Sequence, residues 1–385
     1  MVLRIDKAED SGRIVFMELS QKRILIVRLG AIGDVIRTLP ALRALRANLP
    51  EAYISWVVED RAASILKHHP DLNEVLVVPR KGWEHNKWSF MTIKEIQRFI
   101  RVLRKKAFDV ALDFHGLFKS GLITFFSGAK ERIGFSKSFS REGNFLFTNQ
   151  HVSLPTQKMN RVERNLFLVK SLGLEVNGHA PIIPISQWDR QYADTVIPPE
   201  GPPFKGPLIV MHPGSSPKTL YKRWDYHRFA QLADILIQRY RGKIFFTAGQ
   251  EEWGLIEDIA GEMEESHYVF CHTETLTQLA EVIRRSDLYI GNDTAPMHLA
   301  AFVGTPVVAL FGPTDPIENA PYGNAPSVVI RKDVSCNPCR NRECRKLLCM
   351  DAIEVEAVLE PVEHILRDRG FALTQNSLHS SCSSE

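Results

Sequence analysis

"RILIVRLGAIGDVIRTLPALRALRANLP", residues 23–50, joins an apolar run to two glycines, a single acid and a long amphipathic run. A short apolar strand, a glycine turn and a helical period in that order begin a βαβ unit. Gly30 and Gly33 are spaced G-x-x-G, not G-x-G-x-x-G, and only Glu59 and Asp60 stand near the place of a ribose-binding acid. A dinucleotide fingerprint is therefore incomplete, which disfavours a nicotinamide dehydrogenase. The two glycines permit a tight turn and close approach of a ligand. Asp34 then falls at or near a helix N-terminus. Two readings stand there: a helix cap, or a carboxylate at the mouth of the first strand acting as general base.

The alternation continues outward. The runs "YISWVV", "EVLVVP" and "DVALDF" read as strands, with helices over Val35–Leu49, Ala62–His68 and the segment "MTIKEIQRFIRVLRKKAF". Ile93, Ile96, Ile100 and Leu103 recur at helical spacing in the last of these. From about Leu154 to Pro207 the pattern breaks into proline- and glycine-rich sequence, the composition of a linker. It then restarts with "PLIVMHPG", "KIFFTAG", "YVFC", "LYIGND" and "PVVALFGP", separated by helical patterns. The expected fold is α/β: two Rossmann-like, doubly wound parallel-sheet domains with a ligand cleft between them. The expected division is an extension at 1–22, a first domain at 23–185, a linker at 186–206, a second domain at 207–370 and a disordered, serine-rich tail at 371–385.

The chain has 385 residues and a net charge of +3, with 44% hydrophobic and 24% charged residues. Those are the proportions of a water-soluble globular protein. No apolar stretch approaches the length of a membrane span. The first twenty-odd residues lack the apolar core of a signal peptide, so a cytoplasmic location is expected. Charge is unevenly placed: residues 1–190 hold 30 Lys/Arg and 19 Asp/Glu, residues 191–385 hold 18 and 26. The first half is expected to meet something anionic. Few aromatics interleave with its basic residues, which argues against nucleic acid. Cys336, Cys339, Cys344 and Cys349 are spaced C-x2-C-x4-C-x4-C. That is one close couple and two singles, a poor zinc pattern, so no metal is expected, while disulfide pairing is left open.

Three stretches of the second half carry chemistry. "MHPGSSPKTLYKRW" places His212, Gly214, Ser215 and Ser216 in a polar loop beside Lys218, Lys222 and Arg223, groups that suit a phosphate. "YIGNDTAPMHLAAFVGTPVVALFGPTDP" puts Asp293 and Thr294 where a strand ends and a helix opens, with Ala295, Pro296 and His298 in its first turns. Free N–H groups and the helix dipole there favour a diphosphate. Gly312, Thr314 and Asp315 end the next strand. "TAGQEEWG" offers Gly249 and Glu251, the latter either a ribose acceptor or an ordinary first-turn acid.

With "ILIVRLGAIGDVIRTLPALRALR", "ERIGFSKSFSRE", "HPGSSPKTLYKRW" and "IGNDTAPMHLAAFVGTPVVALFGPTDP" together, the sequence resembles glycosyltransferase family 9, the ADP-heptose:lipopolysaccharide heptosyltransferases. The resemblance runs from about Arg23 to Leu359 and includes the cysteine loop. It implies a GT-B fold. It implies Asp34 as catalytic base, Lys222 on the donor phosphate, Asp293 near sugar hydroxyls, Thr294 near phosphate, and His298, Ser215, Ser216, Ala295 and Glu251 as further donor-site residues. Arg61, Lys119, Arg132 and Arg141 are the candidates for gripping an anionic acceptor. The implied substrates are ADP-heptose and a lipid A–core oligosaccharide, met at the anionic inner face of the cytoplasmic membrane without an obligate protein partner.

No D-x-D motif stands at a strand end for a divalent metal, so the leaving ADP is expected to rely on a lysine and helix N–H groups. No cofactor is implied. An Asp of ordinary pKa within reach of the acceptor hydroxyl would serve as base, and single displacement would invert the anomeric centre. The competing reading is another GT-B enzyme acting on a UDP-sugar, a transferase or a 2-epimerase.

Overall fold

A computed structural model describes residues 19–85, 89–178, 180–198, 205–339 and 341–374. The chain divides into two units, Met1–Pro184 and Ile185–Glu385. Each is built on a six-stranded parallel sheet of the same winding.

In the first unit the strands are β1 (Arg23–Val27), β2 (Tyr53–Glu59), β3 (Glu74–Val78), β4 (Val110–Asp113), β5 (Glu131–Phe135) and β6 (Gln150–Val152). Their order is β3-β2-β1-β4-β5-β6. Val27 pairs with Val57 on one side and Asp113 on the other. This register brings the loops after β1, β2 and β4 to one edge, where the order reverses and where such sheets bind ligands. Leu25, Val27, Val57, Leu76 and Ala111 face Leu103 and Phe108 on one side of the sheet.

The second unit repeats the pattern with β7 (Leu208–His212), β8 (Lys243–Thr247), β9 (Tyr268–Cys271), β10 (Leu288–Asn292), β11 (Val307–Leu310) and β12 (Ser327–Ile330), ordered β12-β11-β10-β7-β8-β9. Its strands alternate strictly. Ile209, Met211, Ile244, Phe246, Leu288 and Ile290 pack against the helices Tyr226–Tyr240 and Val355–Asp368. Leu208, Val210, Phe245, Tyr289 and Val307 pack against Leu279, Val282, Met297 and Ala300. Both faces are covered, so these strands read as continuous apolar runs.

Several expectations need correction. The helix expected over Val35–Leu49 is two, Ile32–Ile36 and Leu39–Asn48. Pro40 has no N–H to give the Ile36 carbonyl, which breaks the ladder at Arg37 and Thr38. The linker expected at 186–206 begins with a helix, Gln187–Val196, whose Asp189 accepts from Thr275 and Thr277 of the second unit. Ser186 and Asp189 form its capping box, a signal that the surrounding prolines obscured. Of the expected tail, Phe371 packs on the second core and the Thr374 N–H donates to the Arg239 carbonyl. Residues 375–385, and 1–18 of the expected extension, lie outside the described residues.

One buried acid fixes the turn at the first switch point. Asp113 accepts from the N–H groups of His115 (2.9 Å) and Gly116 (3.0 Å), from Ser120 Oγ (2.9 Å) and from Asn144 Nδ2 (2.7 Å). Asp113→Ala strands these donors and should destabilise the first unit by about 2–4 kcal/mol. Asp113→Asn, which keeps an acceptor oxygen, should cost less. Chemical denaturation of the two variants checks the order.

Candidate active site

Asp34 is the third residue of the helix Ile32–Ile36, whose N-cap position is Ala31 and has no side-chain cap. The carboxylate is thus not a cap. It faces three guanidinium groups: Arg28 at 2.9 Å, Arg37 at 2.7 Å and Arg161 at 3.3 Å. Arg28 leaves β1 and its carbonyl accepts from Trp56 Nε1. Arg37 occupies the break made by Pro40. Arg161 opens the helix Arg161–Lys170, which Asn165 fastens to the Arg37 carbonyl and Thr38 Oγ1. Burial pushes the Asp34 pKa up, but Arg28, Arg37 and Arg161 together override it and hold the carboxyl far below the usual range. The ordinary pKa expected of this residue is therefore not what the fold provides. The side chain is still 19% exposed and open to a ligand.

Beside it, Glu59 ends β2 and is buried among Lys119 (2.6 Å), Arg80 (2.9 Å) and Arg61 (3.2 Å). With 2% of its side chain exposed, the Glu59 carboxylate is turned to those cations and not to solvent. His115, after β4, accepts the Leu29 N–H on Nδ1. Burial, then the charges of Arg28 and Lys119, push its pKa down to about 3, so it is neutral at pH 7.

Of the four basic residues expected to face an acceptor, Arg61 and Lys119 meet at Glu59. Arg141 is exposed in the loop after β5, with its N–H on the Gly116 carbonyl at the same edge. Arg132 is a correction. It pairs with Ala111, two residues back from the end of β4, and donates to the carbonyls of Phe147 (2.9 Å) and Ala129 (3.0 Å). It is a structural arginine of the sheet.

In the second unit, Lys222 Nζ meets Asp293 Oδ2 at 2.7 Å and donates to the Asp293 carbonyl at 3.1 Å. Asn292 binds both flanks of this pair, accepting from the Trp224 N–H and donating to the Pro213 carbonyl. Thr294 is the N-cap residue of the helix Ala295–Val303, with Pro296 in its first turn and His298 buried one position further on than Met297. First-turn N–H groups beside a lysine are of the kind that can hold a diphosphate.

The loop after β7 is held by Glu252. Its carboxylate accepts from the Ser215 N–H (2.6 Å), the Gly249 N–H (3.1 Å) and Arg223 (2.6 Å). A Cβ at Gly214 would stand 2.3 Å from Glu252 Oε2, so the glycine makes room for the acid. Ser215 is buried, and its hydroxyl donates to the Thr219 carbonyl and accepts from Arg223. Those bonds spend the hydroxyl on the loop itself. Ser216, Lys218 and Glu251 are exposed. His212 pairs with Thr247 Oγ1 at 2.9 Å, and burial, then Arg223, lower its pKa to about 4. Gly312 leaves space for Met350 and Cys349, and Asp315 caps the helix Pro316–Asn319. Cys271, Cys336, Cys339, Cys344 and Cys349 are all free thiols.

Sequence reasoning missed Arg28, Arg37, Arg161, Arg80, Glu252 and Asn292. Arg161 stands 127 residues from Asp34, a distance no local pattern spans. Glu252 follows Glu251 directly, and only the turn after β8 decides which of the two turns inward. Glu252→Ala breaks a buried ion pair and should cost about 3–5 kcal/mol, whereas exposed Glu251→Ala should stay within about 0.5 kcal/mol. Denaturation midpoints of the two variants test this.

A model of "Glycosyltransferase family 9 (heptosyltransferase)" matches residues 96–349. The lipopolysaccharide core heptosyltransferase OpsX of Haemophilus influenzae is 26% identical over 309 residues, 80% of this chain and 84% of that protein. A solved glycosyl transferase of family 9 from Veillonella parvula superposes with a TM-score of 0.77 at 25% identity, over 92% of this chain and 99% of the other. E. coli heptosyltransferase WaaC, solved with ADP-2-deoxy-2-fluoro heptose, superposes with a TM-score of 0.70 at 23% identity, over 89% and 99%. The chain is thus a glycosyltransferase with the GT-B fold, and it belongs to glycosyltransferase family 9, the heptosyltransferases.

Proposed function

We propose that this enzyme moves a heptose from ADP-heptose to the inner core of lipopolysaccharide, with inversion, at the cytoplasmic face of the inner membrane. The donor is argued from the ADP-sugar with which WaaC was solved, and the acceptor from the name of the H. influenzae relative. The observation that carries the reading is the carboxylate of Asp34, held at the mouth of β1 by three arginines yet open to a ligand.

Asp34 takes the proton of the acceptor hydroxyl. An alcohol is far too weak an acid to lose its proton to a carboxylate beforehand. As its oxygen bonds to the anomeric carbon it becomes an oxonium, which is a far stronger acid than any carboxylic acid. Even a depressed carboxylate can accept the proton at that stage, so the arginines do not disable the base. The second unit handles the departing ADP. Lys222, aimed by Asp293, and the N–H groups at Thr294 and Ala295 neutralise the charge that develops as the bond to the diphosphate breaks. No metal or other cofactor has a part in this scheme. Transfer needs the base and the leaving group on opposite sides of one anomeric carbon, which is the origin of inversion.

No helix among the described residues is long and apolar enough to cross a membrane. The proposed attachment is peripheral, through the basic excess of residues 1–190. No nucleic acid and no obligate protein partner enter the scheme.

Product analysis with ADP-heptose, UDP-sugars and a panel of truncated lipopolysaccharides tests the reading. Inverted heptosyl product is expected from ADP-heptose alone, and turnover of a UDP-sugar in its place defeats it. Asp34→Asn should lower kcat by about 10²–10⁴ while ADP affinity holds. The depressed pKa also fixes a sign. Asp34 stays ionised well below its unfolded value of about 3.9, so its ion pairs stabilise the fold throughout the working range and fail only in strong acid. The kcat–pH profile should show no acid limb from Asp34 above about pH 5. A limb there that vanishes in Asp34→Asn contradicts the assignment.

A further inference from the structure

His115 stands two residues past the end of β4, as Leu29 stands two past the end of β1, and Val27 and Asp113 are register partners. The two residues are therefore neighbours across the sheet edge, and the Leu29 N–H donates to Nδ1 of the half-buried His115 ring at 3.2 Å. A ring nitrogen that accepts carries no proton, so in the neutral ring the proton sits on Nε2. That N–H has no hydrogen-bond partner among the described residues, and it is not one of the nitrogens sealed from solvent. The inner nitrogen is spent on the fold, and the outer one is an open donor of fixed tautomer.

Arg28 ties this residue to the base. Its Nη1 donates to the Phe114 carbonyl, directly before His115, and its Nη2 meets Asp34 at 2.9 Å. The ring is also close enough to Asp34 for each to shift the other's proton affinity. Burial, then Arg28 and Lys119, outweigh the opposite pull of Asp34 and Glu59, and the ring stays neutral at pH 7. Neutrality keeps the donor available. An imidazolium would be drawn to Asp34 and would compete with substrate for it, whereas a neutral ring has no charge to spend on either acid.

We propose that His115 is an acceptor-binding residue: its Nε2–H donates to an uncharged hydroxyl oxygen of the acceptor sugar, beside the hydroxyl whose proton Asp34 takes. This rests on the transferase reading above. The ring is not a second base, because Nδ1 is occupied by the Leu29 N–H and Nε2 already holds its proton. Its part is to orient the acceptor through a neutral oxygen.

Two substitutions separate the two ring nitrogens, and neither changes the charge at pH 7. Asn carries its amide atoms as many bonds from Cβ as Nδ1, and Gln one bond further, at the reach of Nε2. His115→Asn therefore keeps an acceptor for Leu29 and loses the outer donor. His115→Gln keeps an outer donor and gives up the bond to Leu29. Steady-state kinetics of the full chain, with donor and acceptor varied in turn, read the first loss, and chemical denaturation reads the second. His115→Asn should raise acceptor KM about threefold to tenfold, the size of one lost neutral hydrogen bond, with donor KM within about twofold and the denaturation midpoint unchanged. His115→Gln should keep acceptor KM within about twofold and lower the midpoint. A histidine that only braces the loop gives the reverse order in acceptor KM, and that result overturns the proposal. Acceptors lacking one hydroxyl at a time identify the bonded oxygen: the gap between wild type and His115→Asn should close for one of them. A gap that survives in all of them overturns the proposal. So does an acid limb in kcat between about pH 5 and 8 that His115→Asn removes, since the ring would then take up a proton. If His115→Gln fails to fold, His115→Asn and the deoxy acceptors still decide. A wild-type enzyme that glycosylates no acceptor defeats the transferase reading instead, whereas an active enzyme whose acceptor KM is indifferent to His115→Asn defeats only this inference.

Discussion

Carboxylates buried at the carboxyl ends of parallel strands are the constraint on which the rest of this structure depends. A parallel sheet delivers every strand–helix loop to the same edge, and this chain places an acid at or just past five of those ends: Asp34, Glu59, Asp113, Glu252 and Asp293. Taking a carboxylate out of water costs several kcal/mol unless charges or donors replace the lost hydration. The fold answers in two ways. Asp113 is satisfied by N–H, hydroxyl and amide donors. Asp34, Glu59 and Asp293 are satisfied chiefly by cations, and Glu252 by two backbone N–H groups together with Arg223.

The choice between donors and cations tracks the use of each loop. Asp113 only shapes a turn, and neutral donors satisfy it without bringing cations to that loop. Around Asp34 and Glu59, among the described residues, six cations meet two acids and are held there in fixed positions. In the second unit Lys222 pairs with Asp293 and Arg223 with Glu252. In the proposed scheme the helix terminus at Thr294 adds attraction for phosphate there.

What the sequence made legible follows from the range of each signal. Strands covered on both faces betray themselves as apolar runs, so β1 to β4 and β7 to β11 were readable. Strands β5, β6 and β12 were not: they are short, and Gly134, Gln150 and Ser327 interrupt or begin them with residues of weak strand preference. The helix Val355–Asp368 was hidden by Pro361, although its apolar face closes the second core. At the site, Asp34, Lys222, Asp293 and Thr294 stand at strand–helix junctions, and junctions are local. Their partners are not. Arg161, Arg80 and Asn292 act through contacts closed by the folded sheet, and Arg132, basic and near a strand, turned out to be spent on two carbonyls.

In the proposed role of Asp34 as base, its three arginines look, at first, like a fault, since each lowers its proton affinity. The chemistry of glycosyl transfer makes them useful. A base that must take a proton from a neutral alcohol needs a pKa near the working pH. A base that acts only after the new bond has begun to form needs none of that, because the oxygen has already become strongly acidic. For such a base the greater hazard is arriving protonated, or accepting a proton from water at the wrong moment. Arginine stays charged throughout the physiological range, so Arg28, Arg37 and Arg161 keep the carboxylate ionised and its orientation fixed whatever the state of the substrate. Lysine or histidine could lose charge on burial; guanidinium does not. The depressed basicity and the rigid aim therefore have one cause, and the site gives up proton affinity that this reaction does not use.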